Sequence, residues 1–158
     1  MTRPAVLRLG VPARGMLVHR TLPQLLAPHQ LVPGRCRDVD ALLAWGRRPS
    51  AIAVERLGRR WGLPVWHLED GFLRSIAKGR NHPPLCLLVD ERGVHFDATA
   101  PSQLEQLIGA PISAAQAERA QRLKQQWCAE RLSKVNPPRE SPAPEQPFVL
   151  VVDQSAGD

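Results

Sequence analysis

The chain has 158 residues, 43% hydrophobic and 23% charged, the proportions of a globular chain rather than a disordered or fibrous one. Its net charge of +6 is uneven: residues 1–80 carry 14 basic and 5 acidic side chains (+9), residues 81–158 carry 7 and 10 (−3). The first half therefore invites an anion, but aromatic residues are only 4% and are not interleaved with the basic ones, so the stacking platform of a nucleic-acid binder is missing and no such partner is expected.

Short apolar runs alternate with longer amphipathic stretches, which predicts an α/β chain with a mostly parallel sheet and crossover helices. Residues 4–9 and 39–45 read as strands, although the second also reads as a helix. Pro49 and Ser50 open a helix to Trp61, with Ile52, Leu57 and Trp61 at helical spacing and Gly62 as its cap. Residues 64–68 form the next strand. Residues 85–90 and 94–96 flank Glu91-Arg92-Gly93 and read as a hairpin.

Two helices follow, because Ser102 with Glu105 and Ser113 with Gln116 have capping-box spacing. The second runs to about Leu132, with Ala120, Leu123 and Trp127 in a half-buried pattern and Glu118 facing Arg122. Residues 135–147 contain five prolines and read as a linker. The apolar run 148–152 then reads as a buried parallel strand, followed by six residues; this implies a chain cut short. The division expected is an N-terminal Rossmann-like domain over 1–134, a linker over 135–147, and over 148–158 the start of the next strand with its active-site loop.

Cys36, Cys86 and Cys128 are odd in number, widely separated and without a C-x-x-C pair, which argues against a disulfide framework or a zinc site. The five histidines show no metal-binding spacing, so no metal is expected. No apolar run approaches the ~18–20 residues of a spanning helix, and Arg8 and Arg14 interrupt any signal-peptide core, so a cytoplasmic protein is expected. Phosphate-cradling glycine motifs and the G-x-S-x-G nucleophile elbow are also absent from the sequence.

In open α/β sheets ligands bind beyond the carboxyl ends of the strands, and three such ends are acidic here: Glu69-Asp70, Asp90-Glu91, and Asp153 with Asp158. Carboxylates beside cations can divide nucleophile, acid and base roles, as glycosyl transfer requires. Asp90-Glu91-Arg92-Gly93 is most simply a turn. Glu69-Asp70-Gly71-Phe72-Leu73-Arg74-Ser75 places two acids, a glycine, an arginine and a serine in one loop, for which a structural and a functional reading are equally open.

These blocks resemble the bacterial capsular polysaccharide synthesis and export proteins that transfer β-linked Kdo. The resemblance rests on Ala44-Trp45-Gly46-Arg47-Arg48-Pro49-Ser50, on Leu68 to Ser75, on Pro83-Pro84-Leu85 leading to Val89-Asp90 and Gly93, and on Asp97-Ala98-Thr99. It continues through Pro101-Ser102, Leu104-Glu105, Ser133-Lys134 and Asn136 to Val151-Val152-Asp153-Gln154 and Asp158. Departures are Cys86 where the family usually has Ser, His95-Phe96 where it has a Tyr-Tyr pair, and Val135 where it has Tyr. The family's second, nucleotide-binding half has no counterpart.

The resemblance implies the Rossmann-like half of a two-domain, GT-B-like retaining transferase. Such an enzyme moves β-Kdo from the donor CMP-Kdo, with no other cofactor, to a lipid-linked acceptor at the inner membrane beside the capsule assembly and export machinery. It implies Asp158 as the nucleophile. Glu69 and Asp70 would then serve the acceptor hydroxyl, and Arg74, Ser75, Gly71, Arg47 and Gln154 would contact substrate. The chain is expected to be inactive alone. The alternatives are a non-catalytic capsule assembly or export component, and a basic anion-binding or nucleic-acid-binding domain.

Overall fold

The computed structural model describes residues 6–77, 81–136, 142 and 144–152. Strands Arg8–Val11 (β1), Gln30–Pro33 (β2), Ala41–Trp45 (β3), Val65–Asp70 (β4) and Leu87–Asp90 (β5) form a sheet in the order β2-β1-β3-β4-β5. β1 pairs in parallel with β2 and β3, and β3 with β4; β5 alone runs antiparallel. Ala41, Leu42, Leu43 and Ala44 are all buried, because β3 is covered on both faces. That double burial makes 39–45 a strand and not a helix.

Side chains alternate across the sheet and so divide the core. Leu9, Val11, Leu43 and Leu68 pack with Met16 of a short 3-10 segment (Arg14–Val18) and with Leu22 of helix α1 (Leu22–Leu25). On the other face Leu42 and Ala44 pack with Val39 and with Ala51 and Val54 of helix α2 (Pro49–Trp61). Proline opens α2 as expected, and Gly62, at φ 69°, closes it in the left-handed conformation that glycine accepts without cost. Gly58 has no alternative inside α2: a Cβ there would stand 2.5 Å from Val65 Cγ2.

Helices α3 (Gln103–Gly109) and α4 (Ala114–Ala129) each begin with the capping box read from the sequence. α4 ends short of Leu132, and the half-burial expected of it is not found: no α4 residue is buried, and Leu123 is 50% exposed.

Other differences have local causes. β1 starts at Arg8 rather than residue 4, since pairing with β2 begins there; Val6 is exposed and residues 4–5 lie outside the described residues. β2 and α1, four residues each, are too short to show a period, and sequence patterning missed both. The hairpin expected between 85–90 and 94–96 does not form, because β5 pairs instead with β4, Leu68 opposite Val89. The apolar run Phe148–Val152 forms no strand and is exposed, Val149 at 90%; no described strand lies beside it to supply backbone partners.

Candidate functional site at the carboxyl ends of the strands

From β1 the chain returns to β2 on one side, whereas β3 and β4 lie on the other, so the direction of winding reverses between β1 and β3. Ligands of doubly wound sheets bind in the crevice above such a reversal. Here that position is occupied by His19, which follows the 3-10 segment after β1, and by Trp45 at the end of β3. Their rings stack with centroids 4.8 Å apart and planes 20° from parallel. Burial first, then the charges of Arg74 and Arg48 against the opposing pull of Asp70, hold His19 below the ordinary histidine value of 6.5. These influences favour the neutral imidazole.

β4 runs two residues further than the sequence suggested, so Glu69 and Asp70 are its last strand residues rather than loop residues. Arg74 Nε donates to Asp70 Oδ2 at 2.8 Å, while Asp70 Oδ1 is buried with no hydrogen-bond partner among the described residues. Arg74 Nη1 also donates to the Ser75 hydroxyl at 2.9 Å and to the His82 carbonyl at 3.0 Å, so three hydrogen bonds from two of its nitrogens fix the guanidinium. Ser75 is buried and its hydroxyl donates to the Ala77 carbonyl at 2.8 Å. Gly71 packs on Cys86: its N–H donates to the Cys86 carbonyl, and a Cβ would stand 2.3 Å from the Cys86 Sγ.

Glu69 Oε1 accepts from the Asp70 N–H at 3.0 Å. Its Oε2 faces the turn after β3, where Gly46 has φ 52° and a Cβ would lie 2.8 Å from that oxygen. Beside it His95 meets Phe72 and Phe96 edge to face, with Phe72 51% and Phe96 56% exposed, an apolar wall open to solvent.

Arg47 is engaged within the protein, Nη1 with Glu55 and Nε with Asp97, both at 2.9 Å. His67 joins this group, Nε2 at 3.6 Å from Glu55 and Nδ1 at 3.3 Å from the Gly46 carbonyl. Asp90 confirms its reading as a turn residue. Burial alone would raise it, but N–H donors from Gly93, Arg92, Gln103 and Leu104 outweigh that and hold it below the usual carboxylate value.

The structure thus brings Asp70, Gly71, Arg74 and Ser75 together at the end of β4, turns the Glu69 carboxylate to the Gly46 turn, and leaves Arg47 paired with Glu55 and Asp97. Asp158 and Gln154 lie outside the described residues. Sequence reasoning missed His19, whose only signal was its place after the first apolar run. Among the described residues no cluster of His, Cys, Asp and Glu is arranged to hold a metal ion, and no helix is long and apolar enough to cross a membrane.

The order of strands and the acidic, arginine-paired end of β4 define an α/β domain whose crevice suits a polar ligand. Residues 40–137 match the family described as capsule polysaccharide biosynthesis protein, and the chain belongs to that family. It is 35% identical over 162 residues to the capsule polysaccharide modification protein LipA of Neisseria meningitidis serogroup B, covering 94% of this chain and 22% of LipA. It is 38% identical over 128 residues to the lipopolysaccharide-processing protein LpsZ of Rhizobium meliloti, 75% of this chain and 29% of LpsZ. The structure superposes on Thermosulfurimonas dismutans KpsC, a beta Kdo 2,4 transferase, with TM-score 0.78 and 33% identity, covering 90% of this chain and 45% of that one. The chain therefore spans under a third of these curated relatives and less than half of the solved structure.

Proposed function

We propose that this chain is the Rossmann-like half of a two-domain, GT-B-like retaining transferase that moves β-Kdo from CMP-Kdo to a lipid-linked acceptor during capsule assembly. It would work at the cytoplasmic face of the inner membrane beside the export machinery. One observation carries the reading: Glu69 and Asp70 at the end of β4, with Arg74 fixed beside them, in a fold shared with a β-Kdo transferase at 33% identity. Retention of configuration needs two displacements. The Asp158 carboxylate attacks the anomeric carbon, the bond to the CMP phosphate breaks, and CMP leaves with the bonding pair. The acceptor hydroxyl then attacks the glycosyl ester, gives its proton to Glu69, and the carboxylate of Asp158 is regenerated. Asp70 and Arg74 orient the acceptor or the Kdo carboxylate, with Ser75 and Gly71 holding that loop in place, and Arg47 and Gln154 serve as further substrate contacts.

The test is transfer from CMP-Kdo to a phospholipid-like acceptor, run on this chain and on the reading frame extended downstream. Transfer by the extended protein, abolished by Asp158→Ala and lowered about 10²- to 10⁴-fold by Glu69→Gln, supports the reading. Full turnover in both variants overturns these roles, and no transfer by folded protein favours a non-catalytic assembly component.

A further inference from the structure

The sequence leaves an unexplained excess of positive charge in residues 1–80, and the structure shows where part of it goes. The carboxylates of this half are largely committed: Asp38 pairs with Arg8, Asp40 accepts from the Arg8 N–H, Glu55 holds Arg47, and Asp70 holds Arg74. Arg35, Arg56 and Arg60 are exposed and have no carboxylate partner among the described residues. All three line one groove of about 370 Å³ between α2 and the segment after β2, whose apolar lining includes Ala53, Val54 and Leu57. Among the described residues no acidic one lines it. Its far wall is Pro12 and Ala13, directly after β1, and Ser50 from the first turn of α2 completes it. The groove therefore opens at the same reversal between β1 and β3, on the α2 face, away from Asp70 and Arg74.

Arg56 and Arg60 stand four residues apart on a helix, where like charges repel and weaken it. Among the described residues no carboxylate pairs with either. A carboxylate is saturated by one bidentate guanidinium, whereas a phosphate has oxygens enough to occupy several. We propose that this groove binds a phosphate group, either free or carried as the monoester headgroup of a lipid. The inference is independent of the transfer reaction, since none of its residues belongs to the Glu69–Ser75 site.

The test uses the full chain at low ionic strength with two probes: inorganic phosphate followed by calorimetry, and sedimentation with phosphatidylcholine vesicles with or without phosphatidic acid. Binding of either phosphate probe should weaken about tenfold or more in Arg56→Gln/Arg60→Gln and in Arg35→Gln, and less in Arg56→Lys/Arg60→Lys, which keeps charge but loses the fork. Arg119→Gln/Lys124→Gln removes the same charge from the exposed face of α4 and should change binding by less than about twofold. Circular dichroism of each variant separates loss of the groove from loss of fold. Phosphate binding in solution identifies a free ligand, and binding only to phosphatidic acid vesicles identifies a headgroup. No binding of either probe, or equal weakening by the α4 variant, overturns the proposal.

Discussion

Asp90→Ala separates a structural acid from a catalytic one. In the folded chain Asp90 Oδ1 accepts from the N–H groups of Arg92 and Gly93, both at 2.9 Å, and Oδ2 from Gln103 at 2.8 Å and Leu104 at 3.4 Å. Three of these are short, and with water replacing part of each, a net of about 1 kcal/mol apiece gives a loss of about 3 kcal/mol. Asparagine keeps one oxygen and presents an amide nitrogen to donors, so Asp90→Asn should lose about half, near 1.5 kcal/mol. For a urea slope of about 2 kcal/mol/M, the midpoint should fall by about 1.5 M for Ala and about 0.7 M for Asn. The carboxylate lies below its unfolded value of 3.8, so its stabilisation is complete above that value and is lost as pH falls through the lower folded one. The gap between wild type and Asp90→Ala should therefore close on acidification below 3.8. An Ala variant within about 0.3 kcal/mol of wild type at neutral pH, or a gap indifferent to acid, would refute the assignment.

Gly71→Ala should cost about 1–3 kcal/mol in the same denaturation assay, because the new methyl must displace Cys86, whose Cβ would be 2.7 Å away. His19 should titrate below 6.5 by proton NMR; Asp70→Asn should lower its pKa further and Arg74→Gln should raise it, and indifference to both would place His19 away from that pair. Since the unfolded chain takes up this proton first, stability should fall as pH drops from 6.5 through the folded His19 value, a slope that His19→Phe removes. Gly46→Ala should cost about 1 kcal/mol through its positive φ and, by pushing the Glu69 carboxylate aside, lower transfer by the extended protein more than it lowers stability; unaltered turnover would show that Glu69 does not need its place.

What could be read in the sequence was what has a local cause. Pro49 and Gly62 bracket α2, and the two serine capping boxes start α3 and α4, because each signal satisfies backbone groups within a few residues. The partner of β5 was not legible, since nothing in 85–96 records that β4 offers a free edge; the Glu91-Arg92-Gly93 turn belongs to Asp90 and the start of α3. The Glu69–Ser75 cluster could be found by its composition, but its internal geometry could not: Ser75 is bound to Ala77 and stands in a bridge with Val135, sixty residues away in the chain. His19 carries no motif at all and gains meaning only when β1 and β3 become neighbours.

The same alternation that divides the core also divides the acids. Glu69 and Asp70 are adjacent in sequence and so leave β4 toward opposite faces. Asp70 shares the face of Leu68 and the His19 side, with one oxygen committed to Arg74 and the other buried. Glu69 shares the face of His67, and its Oε2 has no hydrogen bond among the described residues, only the bare turn at Gly46 before it. A pair read from sequence as two equivalent carboxylates is therefore one group held in an ion pair and one with no ion pair among the described residues. A hydroxyl arriving at the end of β4 can reach Glu69 beside the Phe72 and Phe96 wall without breaking an ion pair, whereas reaching Asp70 means competing with Arg74. In the proposed transfer the proton would therefore go to Glu69, which has no ion pair among the described residues to give up, and Asp70 would act by fixing the guanidinium that meets the anionic end of a substrate.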